Sequence, residues 1–221
     1  PGYMSDMAGS KATLLFEEAR ARGEPALLLD YSGCGLSSGA FADGTLSRWR
    51  DEVVALTQAV CPDRPLLLVG SSMGGWLMLL VALAIPRRVA GLVGVAAAPD
   101  FTDWGFDEAQ KALLATGEVL YEDNPYGPEP TPPHPALWRE GQTLRLLGGE
   151  IALDCPVRLL HGQADPDVPW AISLRLAEAL RSADVQVTLV KDGDHRLSRE
   201  ADIALLVRTV DTLFAALAPA V

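Results

Sequence analysis

Pro65-Leu66-Leu67-Leu68-Val69-Gly70-Ser71-Ser72-Met73-Gly74-Gly75-Trp76-Leu77-Met78-Leu79-Leu80 joins an apolar run, a Gly-x-Ser-x-Gly pattern and a second apolar run. The first run carries no polar side chain, so it reads as a strand buried on both faces. The second, Trp76 to Ala84, is apolar all round and reads as a helix packed under a sheet. Between them, Gly70 and Gly74 lack a Cβ, which lets the chain turn tightly and lets neighbouring backbone approach. Ser72 is thereby placed in a strained conformation at the tip, with its hydroxyl exposed.

Outward from this turn the chain alternates between two periods. Upstream, Ala12, Leu15, Phe16 and Ala19 give a helix from Ser10 to Arg22 that Gly23 ends, and Ala26 to Leu29 reads as a short buried strand. A glycine-rich loop follows from Asp30 to Gly39. Its Gly33-Cys34-Gly35 is not a dinucleotide fingerprint, because Ser38 stands where the third glycine is needed and no helix starts directly. Leu46, Trp49, Val53, Leu56 and Val60 mark a second helix. Downstream, Pro86 stops the helix, and Val89 to Ala98, Val157 to Leu160 and Val185 to Val190 read as further strands. Helices are expected from Pro169 to Arg181 and from Ser198 to Leu217. Strand and helix in alternation predict an α/β fold, a mostly parallel sheet with helices on both faces.

The alternation breaks from Pro99 to about Leu153. Asp100 to Ala115 has helical character, and Pro125, Pro128, Pro130, Pro132, Pro133 and Pro135 follow with Tyr121, Tyr126 and Trp138 nearby. This stretch is too rich in proline for core and too aromatic for a linker. It reads as a lid inserted over a pocket, spanning 100–153, with the core formed by 1–99 and 154–221. Phe101, Trp104 and Phe106 are the expected apolar lining, a substrate-binding role.

With 18 Lys and Arg against 29 Asp and Glu, the net charge is -11 and no basic cluster interrupts it. That argues against a nucleic-acid partner and for a small neutral or apolar substrate. Cys34, Cys61 and Cys155 are odd in number and widely spaced, which indicates neither a disulfide framework nor a metal site. Reduced thiols lead to the expectation of a cytoplasmic protein with no metal and no cofactor. No apolar run reaches the length of a membrane span.

Open parallel sheets carry their reactive groups at the carboxyl ends of strands. Two more loops fall there, His161-Gly162-Gln163-Ala164-Asp165-Pro166-Asp167-Val168-Pro169 and Asp192-Gly193-Asp194-His195-Arg196. A serine hydroxyl needs an imidazole to take its proton, and the imidazole needs a carboxylate to fix its tautomer. Ser72, Asp165 and His195 supply the three in the order expected after a nucleophile elbow. His161 reads as a structural residue that caps backbone, and His134 as a solvated residue of the proline stretch.

These motifs resemble the alpha/beta-hydrolase superfamily, through Gly70-Ser71-Ser72-Met73-Gly74, His161-Gly162-x-x-Asp165-x-x-Val168-Pro169 and Gly193-Asp194-His195. More narrowly, Asp30-Tyr31-Ser32-Gly33, Gly74-Gly75-Trp76-Leu77-Met78-Leu79, Val168-Pro169-Trp170 and Asp194-His195-Arg196 are similar to the branch of palmitoyl-protein thioesterases and acyl-glucuronide esterases. The resemblance implies hydrolysis of carboxylic esters or thioesters through an acyl-enzyme on Ser72. It implies Asp165 rather than Asp167 as the acid, with Asp167 capping the next helix, and an oxyanion hole made by the backbone N–H groups of Tyr3 and Met73. The family's sheet continues upstream, so a strand leading into Pro1-Gly2 is expected to precede this sequence. A peptidase or amidase on the same triad and a silent binding module with this fold are the alternatives. Ester against matched amide hydrolysis separates the first, and labelling by a fluorophosphonate the second.

Overall fold

The computed structural model describes residues 1–121 and 131–217 of the chain. The part of the proline run at Pro125, Pro128 and Pro130, with Tyr126, lies outside the described residues. Helix α1 spans Ser10–Ala21 and α2 spans Leu46–Val60, the latter opened by Thr45, whose side chain accepts from the Arg48 N–H. Strand β1 (Leu66–Ser71) runs into α3 (Met73–Ala84), then β2 (Val89–Val95). Helices α4 (Phe101–Trp104), α5 (Glu108–Thr116) and α6 (Pro135–Thr143) fill the inserted stretch. The chain closes with β3 (Val157–Gly162), α7 (Ala171–Ala179), β4 (Val185–Val190) and α8 (Glu200–Leu217).

The four strands form one parallel sheet in the order β1-β2-β3-β4. Register places Ser71 beside Val95 and Leu159 beside Val187. Successive side chains alternate between faces, which builds two cores. Leu92 and Leu159 pack with Met78 and Leu79 of α3 and Leu176 of α7 on one face. Val93, Val95 and Leu160 pack with Leu206 and Leu213 of α8 on the other, and Leu15 of α1 joins them. The crossovers through α3 and α7 both advance in the same direction along the sheet, so a single hand of connection puts both helices on the same face. Helix α8 then covers the opposite face.

Two expectations are corrected here. Ala26 to Leu29 is not a strand of the sheet, and Ala26 and Leu27 are exposed. A strand exists only where a partner takes its hydrogen bonds, and across from this extended run lies an open cavity whose other wall is Leu66 to Val69. For the same reason β1 is half-buried rather than buried on both faces: it is an edge strand, and Val69 is 41% exposed. The helix expected over Asp100 to Ala115 is two helices, broken where the Gly105 N–H closes α4 onto the Phe101 carbonyl and Asp107 starts α5 with a capping box to Gln110.

Candidate active site

Ser72 is the residue between β1 and α3, with φ 55° and ψ -124°. A non-glycine residue held at positive φ stores about 1–3 kcal/mol, and its surroundings must fix it. Here they do so through three backbone hydrogen bonds. The Ser72 N–H donates to the Val95 carbonyl at 2.9 Å, and its carbonyl accepts from Gly75 at 2.9 Å and Ala98 at 3.0 Å. A Cβ on Gly70 would collide with the carbonyl of Gly74, so the strand can enter this turn only as glycine. Ser72 and His195 both line one large cavity.

Asp165 and His195 leave the ends of β3 and β4 and meet. His195 Nδ1 lies 2.8 Å from Asp165 Oδ2, and the Asp165 side chain has no solvent exposure. Its other oxygen, Oδ1, accepts from the N–H groups of Asp167 at 2.8 Å and Val168 at 2.9 Å. Burial by itself opposes ionisation of Asp165. Hydrogen bonds from His161, His195 and the Val168 N–H outweigh it and hold the carboxyl well below the usual carboxylate range. The neighbouring Asp167 is exposed and does not cap a helix: α7 starts only at Ala171, with Trp170 before it and no side-chain cap. Asp165, Asp167 and His195 bring ligand atoms within 4.8 Å of one another, which is the size of a cation site. Asp165 already spends both oxygens on N–H donors, so a cation would have to displace the pair.

Of the expected oxyanion donors, Met73 follows Ser72 in the chain and Tyr3 follows Gly2, which is packed onto Ser72. Met73 is the first residue of α3, where no intrahelical acceptor exists for its N–H and the helix dipole is positive. On the other side Gly2 is packed onto the nucleophile: a Cβ there would stand 3.3 Å from Ser72 Cβ and 3.8 Å from its Oγ. Tyr3 follows. Its ring meets Phe41 and Phe101 edge-on at 5.0 and 6.0 Å, and its hydroxyl donates to the Pro132 carbonyl at 2.7 Å.

Phe101, Trp104 and Phe106 all line the same cavity as Ser72. Phe101 also contacts the Trp76 ring at 5.6 Å, and Trp104 Nε1 donates to the Pro99 carbonyl at 2.7 Å. Two residues differ from expectation. His134 is only partly exposed: it lies 5.7 Å from the Phe41 ring on the cavity wall, and burial lowers its pKa. His161 does hold backbone, with Nε2 at 2.9 Å from the Val168 carbonyl, but it also reaches Asp165. The i, i+4 spacing of His161 and Asp165 was the available signal. A loop that doubles back, which no periodicity reveals, makes them neighbours.

Residues 5–131 match the family model described as serine aminopeptidase, S33. The mitochondrial palmitoyl-protein thioesterase ABHD10 of Mus musculus is 40% identical over 221 residues, covering 96% of this chain and 73% of the relative. Among solved structures, a putative hydrolase from Agrobacterium vitis S4 superposes with a TM-score of 0.89 at 42% identity, over 96% of this chain and 85% of that one. The mouse alpha/beta hydrolase domain-containing protein 10 gives a TM-score of 0.89 at 40% identity, over 99% and 88%. These names correct the expectation of a cytoplasmic protein, since the curated relatives are mitochondrial by name. Free Cys34, Cys61 and Cys155 speak only for a reducing environment and do not choose between compartments that share one.

Proposed function

This chain belongs to the alpha/beta-hydrolase family, alongside the palmitoyl-protein thioesterases, and from that premise we propose that it cleaves acyl esters or thioesters through an acyl-enzyme on Ser72. The observation that carries the reading is the Asp165–His195 hydrogen bond of 2.8 Å on the wall of the cavity that Ser72 lines from its strained turn.

With Nδ1 donating to Asp165, His195 offers Nε2 to the serine. Ser72 Oγ attacks the acyl carbonyl carbon while Nε2 takes its proton, and the carbonyl oxygen becomes an anion stabilised by the N–H groups of Met73 and Tyr3. Collapse of this adduct breaks the bond to the alcohol or thiol, which leaves with the proton from Nε2. Water then repeats the sequence on the acyl-serine: it gives a proton to Nε2, attacks the carbonyl and releases the carboxylic acid as Ser72 regains its hydrogen. Asp165, ionised throughout, stabilises each imidazolium. Residues 100–153 act as the lid, with Phe101, Trp104 and Phe106 contacting the acyl part.

A panel of acyl chain lengths on oxygen and sulfur leaving groups, with labelling by a fluorophosphonate, tests the proposal. Acyl transfer predicts labelling of Ser72, and the likeness to palmitoyl-protein thioesterases predicts a preference for long chains on sulfur. The family model's description keeps an amidase reading open, and a matched ester and amide decide it: equal or faster amide cleavage overturns the ester reading.

A further inference from the structure

We propose that His161 is a positioning residue that locks the Asp165 carboxylate in the orientation His195 requires, so that three side chains of the β3 loop and α7 act as one support behind the base. The inference rests on the reading of Ser72, Asp165 and His195 as a triad.

The His161 ring is fully buried, at 0% exposure. Its Nε2 stands 2.9 Å from the Val168 carbonyl and 3.2 Å from Asp165 Oδ2. Neither oxygen carries a hydrogen when Asp165 is ionised, so Nε2 must bear the proton: it donates to the Val168 carbonyl and its positive edge lies against Asp165 Oδ2 as an electrostatic contact. That leaves Nδ1 to accept from Ser173 Oγ at 2.7 Å, and Ser173 sits on α7 at 1% exposure. The tautomer follows from its partners. It is the one that presents an N–H to the acid.

An aspartate carboxylate turns about a broad, roughly two-fold torsion, so a single contact to His195 would leave its plane loosely set. Here three hydrogen bonds and one electrostatic contact fix it. Oδ1 takes two backbone N–H groups, at 2.8 and 2.9 Å, and Oδ2 takes His195 Nδ1 at 2.8 Å, with His161 Nε2 beside it at 3.2 Å. The His161 bond to the Val168 carbonyl also closes the turn that supplies the Val168 N–H to Oδ1. Losing His161 therefore loosens both oxygens, and His161 itself does not line the substrate cavity.

The experiment compares kcat and KM on a p-nitrophenyl ester for the parent, His161→Leu, His161→Gln, Ser173→Ala and Asp165→Asn, with the downfield proton resonance of the His195 Nδ1–H recorded for each. Replacing His161 with Leu should lower kcat by roughly 10- to 100-fold, the range for removing a hydrogen bond to a charged group that itself orients a reacting one. KM should stay within about threefold, and the resonance should move or broaden. His161→Gln keeps an N–H donor and should recover at least a third of the lost activity on a logarithmic scale, a rescue that simple packing would not produce. If His161→Leu does not fold, Ser173→Ala carries the test, since it frees the ring while leaving every Asp165 contact possible; it should lower kcat several-fold and shift the resonance. A His161→Leu enzyme with kcat within threefold of the parent, or an equal loss in the Leu and Gln variants, overturns the inference. So does a Ser173→Ala protein with parental kcat and resonance. Asp165→Asn separates the two readings: if it keeps parental kcat the triad itself fails, whereas an inactive Asp165→Asn beside an unimpaired His161→Leu fails only the proposal for His161.

Discussion

Ser72 carries its backbone strain in a turn that packing already enforces, so removing its hydroxyl should leave the fold as it is. Ser72→Ala is expected to lose on the order of a millionfold in turnover and all fluorophosphonate labelling, with a thermal midpoint equal to the parent's; turnover within tenfold of the parent would reject Ser72 as nucleophile. The two neighbouring carboxylates are ranked by their surroundings. Asp165 accepts three N–H groups and has His161 Nε2 at 3.2 Å, whereas Asp167 is exposed. Asp165→Asn should lower kcat by about ten-thousandfold, because the amide favours the wrong imidazole tautomer, and Asp167→Asn should stay within about tenfold; steady-state kinetics on one ester substrate reads both. That Ser72, Asp165 and His195 follow the ends of strands was legible in the sequence, because each comes after an apolar run that pairs in the sheet. The surroundings of His161 and His134 were not, since both make contacts across loops, to Asp165 and to Phe41.

At the scale of elements, strand β2 hands the chain to the inserted helices through Asp100, which is 4% exposed and adopts φ 60°. Its carboxylate accepts from the N–H groups of Leu146 and Leu147, each at 2.8 Å, and so ties the far end of the insertion back to the sheet. Asp100→Ala leaves those two donors without their acceptor, and each unsatisfied group costs about 1–3 kcal/mol where it stays buried. The variant should lose at least about 1 kcal/mol in urea unfolding and raise KM, since Phe101 begins the next helix and lines the cavity; an unchanged urea midpoint would show that the tie contributes nothing. The sequence showed that the strand period stops at Pro99, where helices follow β2, but not what holds them down. Ala26 to Leu29 marks the opposite limit. Its apolar composition fits a strand, yet strand character belongs to a pair, and the open edge of β1 lies across a cavity from it.

For the whole molecule, two effects of acid oppose each other. The chain carries a net charge of -11 at pH 7, so protonating exposed carboxylates first relieves self-repulsion and favours the compact state. Buried, hydrogen-bonded carboxylates act the other way. Asp165 is held ionised against its own burial by His161, His195 and the Val168 N–H, and Arg199 similarly holds Asp202 below the usual range. A carboxyl whose folded pKa is depressed gives stability that is fully present above the unfolded value, about 3.9 for aspartate. Below that value the unfolded chain binds a proton that the folded chain refuses, and stability falls as pH falls toward the depressed folded value. Stability should therefore hold or rise slightly from pH 7 to about 5, then decline steeply below about 4. Asp165→Asn separates the contributions, because asparagine does not titrate while the other carboxylates still do. Urea midpoints at pH 7, 5, 4 and 3 should show the variant less stable than the parent at pH 7 and the difference shrinking below pH 4, as the parent loses what the variant never had. A difference that stays constant across that range would mean that Asp165 is not held ionised by its partners, and the electrostatic basis of the His195 site would fail with it.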